Sequence, residues 1–327
     1  MHHHRPDDAH HLLRCLSLVT VVLLPLTSTA AAPAGLHREV YEMGTRLSLE
    51  LDGMPAEELG RAAEAAIREC ERIEAACSTW RADSAWSRLN DSHGAEQTLG
   101  REWVTLLSTV LDWTRRTEGT FDPVLGALIR TWNTRHGGRT PTPAELRTAR
   151  EASGARLLQL DPARGTARLT HPAAALEEGG FIKGYALDRM AQVLRAAGVK
   201  QGVLDFGGQL LAFGAPSPAA IAAPDDRHRP ALELKLDGAS LSTSGTSEHG
   251  RHILDPRTGD RSPAWGSVSV IAADGLTADI LSTALYVLGP DQGLRWAEAH
   301  QVAALFQRPG AAAIASTAFA ALTRSRP

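Results

Sequence analysis

The stretch SEHGRHILDPRTGDRS, residues 247–262, sets His252 three residues ahead of Asp255 and Pro256. An imidazole is the usual proton acceptor near neutral pH, although a histidine beside a tight polar turn also serves purely structural ends. A second segment, LTADILSTALYVLG (276–289), reads as a helix by its apolar spacing and places Asp279 and Thr283 at i and i+4. One carboxylate and one hydroxyl then share a helical face, an oxygen pair that suits Mg²⁺ with its preference for few protein ligands. The same two residues equally suit a partly exposed acid favouring the helix dipole and a threonine bonded back to its own helix.

Three further segments carry chemistry-bearing residues. In LEEGGFIKGYALDR (176–189), glycines and Lys183 stand where a loop opens a helix, and a helix N-terminus beside a lysine favours an anion such as phosphate. Neither the Walker spacing nor Gly-x-Gly-x-x-Gly is present, so a structural loop-to-helix turn is the competing reading. In TEGTFDPVLGALIRTW (117–132), Asp122 and Pro123 read as the start of a helix with Asp122 as its N-cap. In CSTWRADSAWSRLN (77–90), Trp80 suits either stacking on a planar ring or packing in a core.

These residues need elements to hold them. Leu59, Ala63, Ala66, Ile67, Cys70 and Ile73 recur at helical spacing through 55–77, predicting an amphipathic helix that packs on a sheet. REWVTLLSTVLDWTRRT predicts another, and TPAELRTAREASG a third, with Thr142 as N-cap, Pro143 in the first turn and Glu145 closing a capping box. A fourth is expected from about Tyr185 to Ala197. TRLSLEL, ARLT, GVLDF, LLAFG, LELKL, SVSVIAA and VAALFQ read as short strands, several alternating with period two. Helices and strands do not alternate regularly, and the short gaps between residues 200 and 272 suggest antiparallel pairs, so the class expected is α+β. PSPAAIAAPDDRHRP (216–230) reads as the most loop-like interior stretch.

Composition narrows the options. The chain has 327 residues, 43% hydrophobic and 22% charged, with a net charge of −3. That is enough to bury a substantial core, and it lacks the basic excess expected of a nucleic-acid binder. Residues 1–34 combine Arg14, an apolar run to Leu26 and small residues around Ala30–Ala34, the pattern of a cleaved export signal. The run is broken by Pro25 and short for a membrane span, so export to the periplasm or the outer face of the cell membrane is expected, with membrane association only through a partner or an uncleaved leader. Cys70 and Cys77, seven residues apart on one predicted helix, lie about 10 Å apart along its axis and cannot bond to each other.

Taken in order, MGTRLSL, STWRADSAWSRLN, TEGTFDPVLGAL, LEEGGFIKGYALDR, FGGQLLAFG, STSG, HILDPRTG and TADILSTALYVLG resemble the motifs of the ApbE family, the FAD:protein FMN transferases. The resemblance runs from residue 43 to about 290 and implies an ApbE-like α+β fold with mixed or antiparallel sheets and packed helices over residues 35–327. It implies an enzyme that uses FAD as substrate with Mg²⁺ and transfers FMN onto a Ser or Thr of an exported flavoprotein, with AMP as leaving group. Carried over position by position, it implies flavin and adenine contacts at Met43, Trp80, Thr120, Phe121, Asp122, Glu177, Lys183 and Ile253. Metal ligands would be Asp279, Thr283 and the backbone carbonyl of Gly180, and His252 becomes the candidate base. Glu177 stands where the family usually has Asp, Ile182 where a small residue is usual, and Asp205 where a neutral one is. Ile182 is expected to narrow the pocket.

Overall fold

The computed structural model describes residues 35–246 and 252–324, so the expected leader, residues 1–34, lies outside the described residues. The chain opens with a hairpin of β1 (Leu36–Glu42) and β2 (Thr45–Asp52), then α1 (Ala56–Cys77), α2 (Ala85–Asn90) and β3 (Gln97–Thr98). α3 (Arg101–Arg116), α4 (Gly126–Trp132) and α5 (Pro143–Glu151) precede β4 (Leu158–Asp161) and β5 (Thr166–Leu169). After α6 (Ile182–Ala196) come β6 (Gln201–Phe206), β7 (Gln209–Phe213), β8 (Ser217–Ala223), β9 (Asp226–Leu236), β10 (Ser240–Gly245) and β11 (Ser267–Ala272). α7 (Gly275–Ala299), β12 (Ala303–Gln307), β13 (Ile314–Ala315) and α8 (Thr317–Arg324) complete the described chain.

Eight strands form one antiparallel sheet in the order β1-β2-β6-β7-β10-β11-β12-β13, beside a three-stranded sheet β3-β5-β4 and the hairpin β8-β9. The α+β class expected from the sequence is the observed one. Period-two alternation divides the large sheet between two apolar layers. Leu211, Phe213, Val268, Val270, Ala304 and Phe306 join the main core with α1, α3, α6 and α7. Their strand neighbours Ala212, Ala303 and Leu305 face a smaller cluster with Ile221, Leu236 and Phe319. β12 is therefore buried at every position.

α1 buries Leu59, Ala62, Ala63, Ala66, Ile67, Cys70, Ile73 and Cys77, the stripe its spacing predicts. Both cysteines are free, and burial pushes their thiols up. The capping box of α5 forms as expected from Thr142 and Glu145. Among the described residues no helix is long and apolar enough to cross a membrane.

Three expectations need correction. The stretch 216–230 is not a loop but most of the β8–β9 hairpin, whose Ala219, Ile221 and Ala223 point inward. Its prolines obscure the alternation, and they are tolerated because the pair is isolated and carries register shifts after Ile221 and Ala222. No helix begins at Asp122–Pro123: α4 starts at Gly126, and Asp122 accepts from Val124 N at 2.8 Å in a local turn. α6 begins at Ile182, three residues before Tyr185, because the carbonyl of Glu178 already accepts from Phe181 N and Ile182 N.

Candidate active site

The strand turns set one wall. β1 and β2 are joined by Met43 (φ 45°) and Gly44 (φ 76°), a two-residue turn with both central residues at positive φ, and β6 and β7 by Gly207 and Gly208 at φ 60° and 89°. Antiparallel register brings both turns, and the end of β10 at Ser244–Gly245, to one edge of the sheet. Met43 is a strained, partly buried exception to the glycine rule for such turns. Asp205 braces the second turn, accepting from Gly208 N at 2.8 Å and lying 3.6 Å from Arg46.

Beside this wall the first turns of α6 and α7 cross. A Cβ on Gly184 would lie 2.2 Å from Gly275 O, and one on Gly275 2.4 Å from Gly184 O, so only glycine permits the approach. Asp188, one turn further along α6, accepts from Gly275 N at 2.6 Å and Leu276 N at 2.9 Å and so caps α7. Burial raises its carboxyl to about 6 against the pull of those two N–H groups.

At this crossing Gly184 N donates to Asp279 Oδ2 at 3.1 Å. Asp279 is buried rather than partly exposed as expected, because the α6 turn closes over it. Burial raises its carboxyl, opposed by the charge of Lys183 and the Gly184 N–H. Thr283 is half-buried one turn along. A Cβ on Gly180 would fall 3.5 Å from Thr283 Oγ1 and 3.1 Å from the ring of Phe121, so the residue-180 backbone, Thr283 and Phe121 adjoin. A hydroxyl chain backs them: Ser244 Oγ lies 2.9 Å from Ser282 Oγ and 3.4 Å from Thr283 Oγ1, and Ser242 Oγ 3.1 Å from Ser282 Oγ.

The three oxygens carried over as metal ligands, from Asp279, Thr283 and Gly180, thus come from neighbouring groups of hard donor character, which fits Mg²⁺. Among the described residues no group of three or more His, Cys, Asp or Glu stands together.

A second cluster lies at the start of the loop that leads into α6. Trp80 is 63% exposed. The Arg135 guanidinium sits over its ring at 4.2 Å, and Nη2 of the same arginine donates to Glu177 Oε2 and Thr79 Oγ1, each at 2.5 Å. The buried Glu178 holds Thr79 in turn, accepting from its backbone N at 2.9 Å and from its hydroxyl. Burial, and secondarily the charge of Glu178, raises Glu177, while Arg135 opposes the shift.

Other carried-over positions are occupied by the chain's own contacts. Thr120 donates its hydroxyl to Thr117 O at 2.9 Å. Asp122 accepts from Val124 N and, at 2.7 Å, from Ala155 N, tying two loops together. Ile182 is buried in the core. Ile253 packs against the core at the base of the turn that follows His252. That turn is closed by Asp255, whose carboxylate accepts from Arg257 N, Nε and Nη2, and it is docked by Trp132 Nε1 donating to Gly259 O at 2.7 Å. His252 is half-buried at its mouth. Arg135, Glu178, Thr79 and Ser244 escaped the sequence reading. Thr79, Glu178 and Ser244 lie inside quoted motifs, but nothing in the spacing of Arg135 marks it.

The fold and site define an α+β protein in which sheet turns stand beside two crossing helix N-termini, with Lys183 and Asp279 at the crossing. The family profile described as "ApbE family" matches residues 43–306. The FAD:protein FMN transferase of Salmonella typhimurium is 29% identical over 286 residues, covering 80% of this chain and 81% of its own. That of Treponema pallidum is 30% identical over 267 residues, with 72% and 73% covered. Among solved structures, the flavinyl transferase ApbE of Pseudomonas stutzeri superposes with a TM-score of 0.78 at 28% identity, over 89% of this chain and 98% of its own. The ApbE protein of Thermotoga maritima reaches 0.82 at 24%, covering 89% and 100%. The chain belongs to the ApbE family.

Proposed function

We propose that the protein is a Mg²⁺-dependent FAD:protein FMN transferase that attaches FMN through a phosphodiester to a Ser or Thr of an exported flavoprotein and releases AMP. The observation that carries the reading is the convergence of Lys183, the N-terminus of α6, Asp279 and Thr283 at the glycine crossing. The names of the relatives supply the substrate class.

Lys183 and the N-terminal end of α6 receive the diphosphate, the lysine as a mobile point charge and the helix end as a fixed dipole. Asp279, Thr283 and the Gly180 carbonyl would hold Mg²⁺, which when bound neutralises charge on the diphosphate oxygens. His252 takes the proton of the acceptor hydroxyl as its oxygen bonds to the FMN phosphorus. The bond from that phosphorus to the bridging oxygen breaks, and AMP leaves with the bridging oxygen. Trp80 offers an exposed face on which a planar ring stacks. The export pattern of residues 1–34 supports action outside the cytoplasm, on a partner in the same compartment.

The test is incubation with FAD and Mg²⁺, with and without an exported acceptor protein, following AMP and protein-bound flavin. Equal amounts of AMP and acceptor-bound FMN are expected. Free FMN with an unmodified acceptor would make the protein a pyrophosphatase, and no AMP at all would leave it a flavin binder.

A further inference from the structure

Arg135 lies outside every segment that carried the functional reading, yet it touches two residues of that reading at once. It stands in a single helical turn, residues 134–136, between Asn133 at φ 52° and Gly137 at φ 84°, so the backbone presents it from a tight excursion after α4. Its guanidinium is fixed from several directions. The plane lies over the Trp80 ring at 4.2 Å, Nη2 donates to Glu177 and to the Thr79 hydroxyl, and Nη1 donates to Thr79 O at 3.3 Å. Thr79 is itself held at two atoms by the buried Glu178. His136 meets the Trp80 ring edge-on, with centroids 6.5 Å apart.

The consequence for Trp80 is specific. An exposed indole left to itself samples several rotamers, and a ligand that stacks on it must first order it. Here one face is covered by a planar cation and one edge is bounded by an imidazole, while the residue remains 63% exposed. An indole covered in this way presents its opposite face as a rigid platform. The same guanidinium pins Glu177, so platform and carboxylate are held relative to each other by one side chain.

We propose that Arg135 is a positioning residue for FAD, fixing the Trp80 indole and the Glu177 carboxylate as a prebuilt platform for one of its planar heteroaromatic rings. The inference rests on the transferase reading. It concerns binding, not proton or phosphoryl transfer, so it separates from the roles of His252, Lys183 and Asp279. The ring is either the purine or the isoalloxazine, which share planarity and N–H donors at an edge.

The experiment uses the full chain with 5-fluorotryptophan incorporated, the Trp80 fluorine resonance being assigned by Trp80→Phe. Arg135→Ala should shift and sharpen that resonance in the absence of any ligand and leave the other tryptophans in place. It should weaken FAD binding, measured in EDTA without acceptor, by about tenfold or more, and raise KM for FAD with kcat nearly unchanged. Arg135→Lys keeps a cation near Glu177 but not a planar fork, so it should restore only part of the affinity, and it provides a second folded variant if alanine destabilises the turn. Competition by AMP and by FMN identifies the ring, since only the fragment that stacks on Trp80 should lose affinity in Arg135→Ala. An unmoved Trp80 resonance, unchanged FAD affinity, or a fall in kcat at constant KM would each overturn the assignment. A wild-type protein that binds no FAD even with Mg²⁺ present would instead overturn the transferase reading.

Discussion

Replacing Gly184 by alanine tests the crossing on which the candidate site is built. A glycine inside a helix ordinarily costs about 0.5–1 kcal/mol relative to alanine, so propensity alone predicts a gain. At Gly184 packing opposes it: the new Cβ would lie 2.2 Å from Gly275 O, 2.5 Å from Gly275 C and 2.9 Å from Asp279 Cβ. Two of those atoms are backbone, and to reach ordinary contact the helices must part by about 1 Å. Overpacking of this kind costs about 1–3 kcal/mol. Parting also stretches the bonds from Gly275 N and Leu276 N to Asp188 and from Gly184 N to Asp279, each to a carboxylate and worth about 1.5–3 kcal/mol. We expect a net loss of about 3–5 kcal/mol, read as a lower urea midpoint and a melting temperature lower by about 6 °C or more. Gly60→Ala is the control: it lies in α1 with nothing within 4 Å of the new Cβ, and it should stabilise by about 0.5–1 kcal/mol. A Gly184→Ala protein that melts with or above the wild type would refute the close approach and the site geometry that depends on it.

Asp279→Ala should abolish transfer, and isothermal titration should show the Mg²⁺ affinity lost while that of Thr283→Ala is only reduced; normal metal binding by Asp279→Ala would place the ion elsewhere. His252→Ala should lower transfer by about 10²-fold or more with FAD binding retained, and an unchanged rate at neutral pH would remove it from the reaction. Asp188 has its folded carboxyl raised to about 6, so the folded state binds the extra proton and stability falls as pH rises from about 4 to about 6. Asp188→Asn should remove that fall, worth up to about 3 kcal/mol, and urea midpoints differing from wild type by a constant amount across the window would contradict it.

The helical part of the fold was legible because its signals are local. The stripe from Leu59 to Ile73 and the Thr142–Glu145 box each depend on residues within a turn or two. The β8–β9 hairpin was hidden because its prolines mimic a loop and its alternation is carried by small alanines. At the site, the motifs pointed to Asp279, Thr283 and Lys183, but not to the crossing that buries Asp279. That burial comes from Gly184 and Gly275, 91 positions apart, and only their backbone contact makes it. Arg135 was illegible for the same reason, since its partners Thr79, Trp80 and Glu177 are distant in the chain.

The order of strands in the large sheet also sets a timetable. β2 pairs with β1 on one side and with β6 on the other, Leu51 opposite Gly202. The first hairpin emerges early in synthesis, but its second neighbour is not made until about 150 residues later, which at about 5–20 residues per second is a wait of roughly 8–30 s. During that interval Leu47, Leu49 and Leu51 lack Phe206, Leu204 and Gly202, the residues that stand opposite them in the finished sheet. A chain built this way cannot complete its sheet from the N-terminus forward, and the wall formed by Met43–Gly44 and Gly207–Gly208 comes into being only when the two ends of that long interval meet.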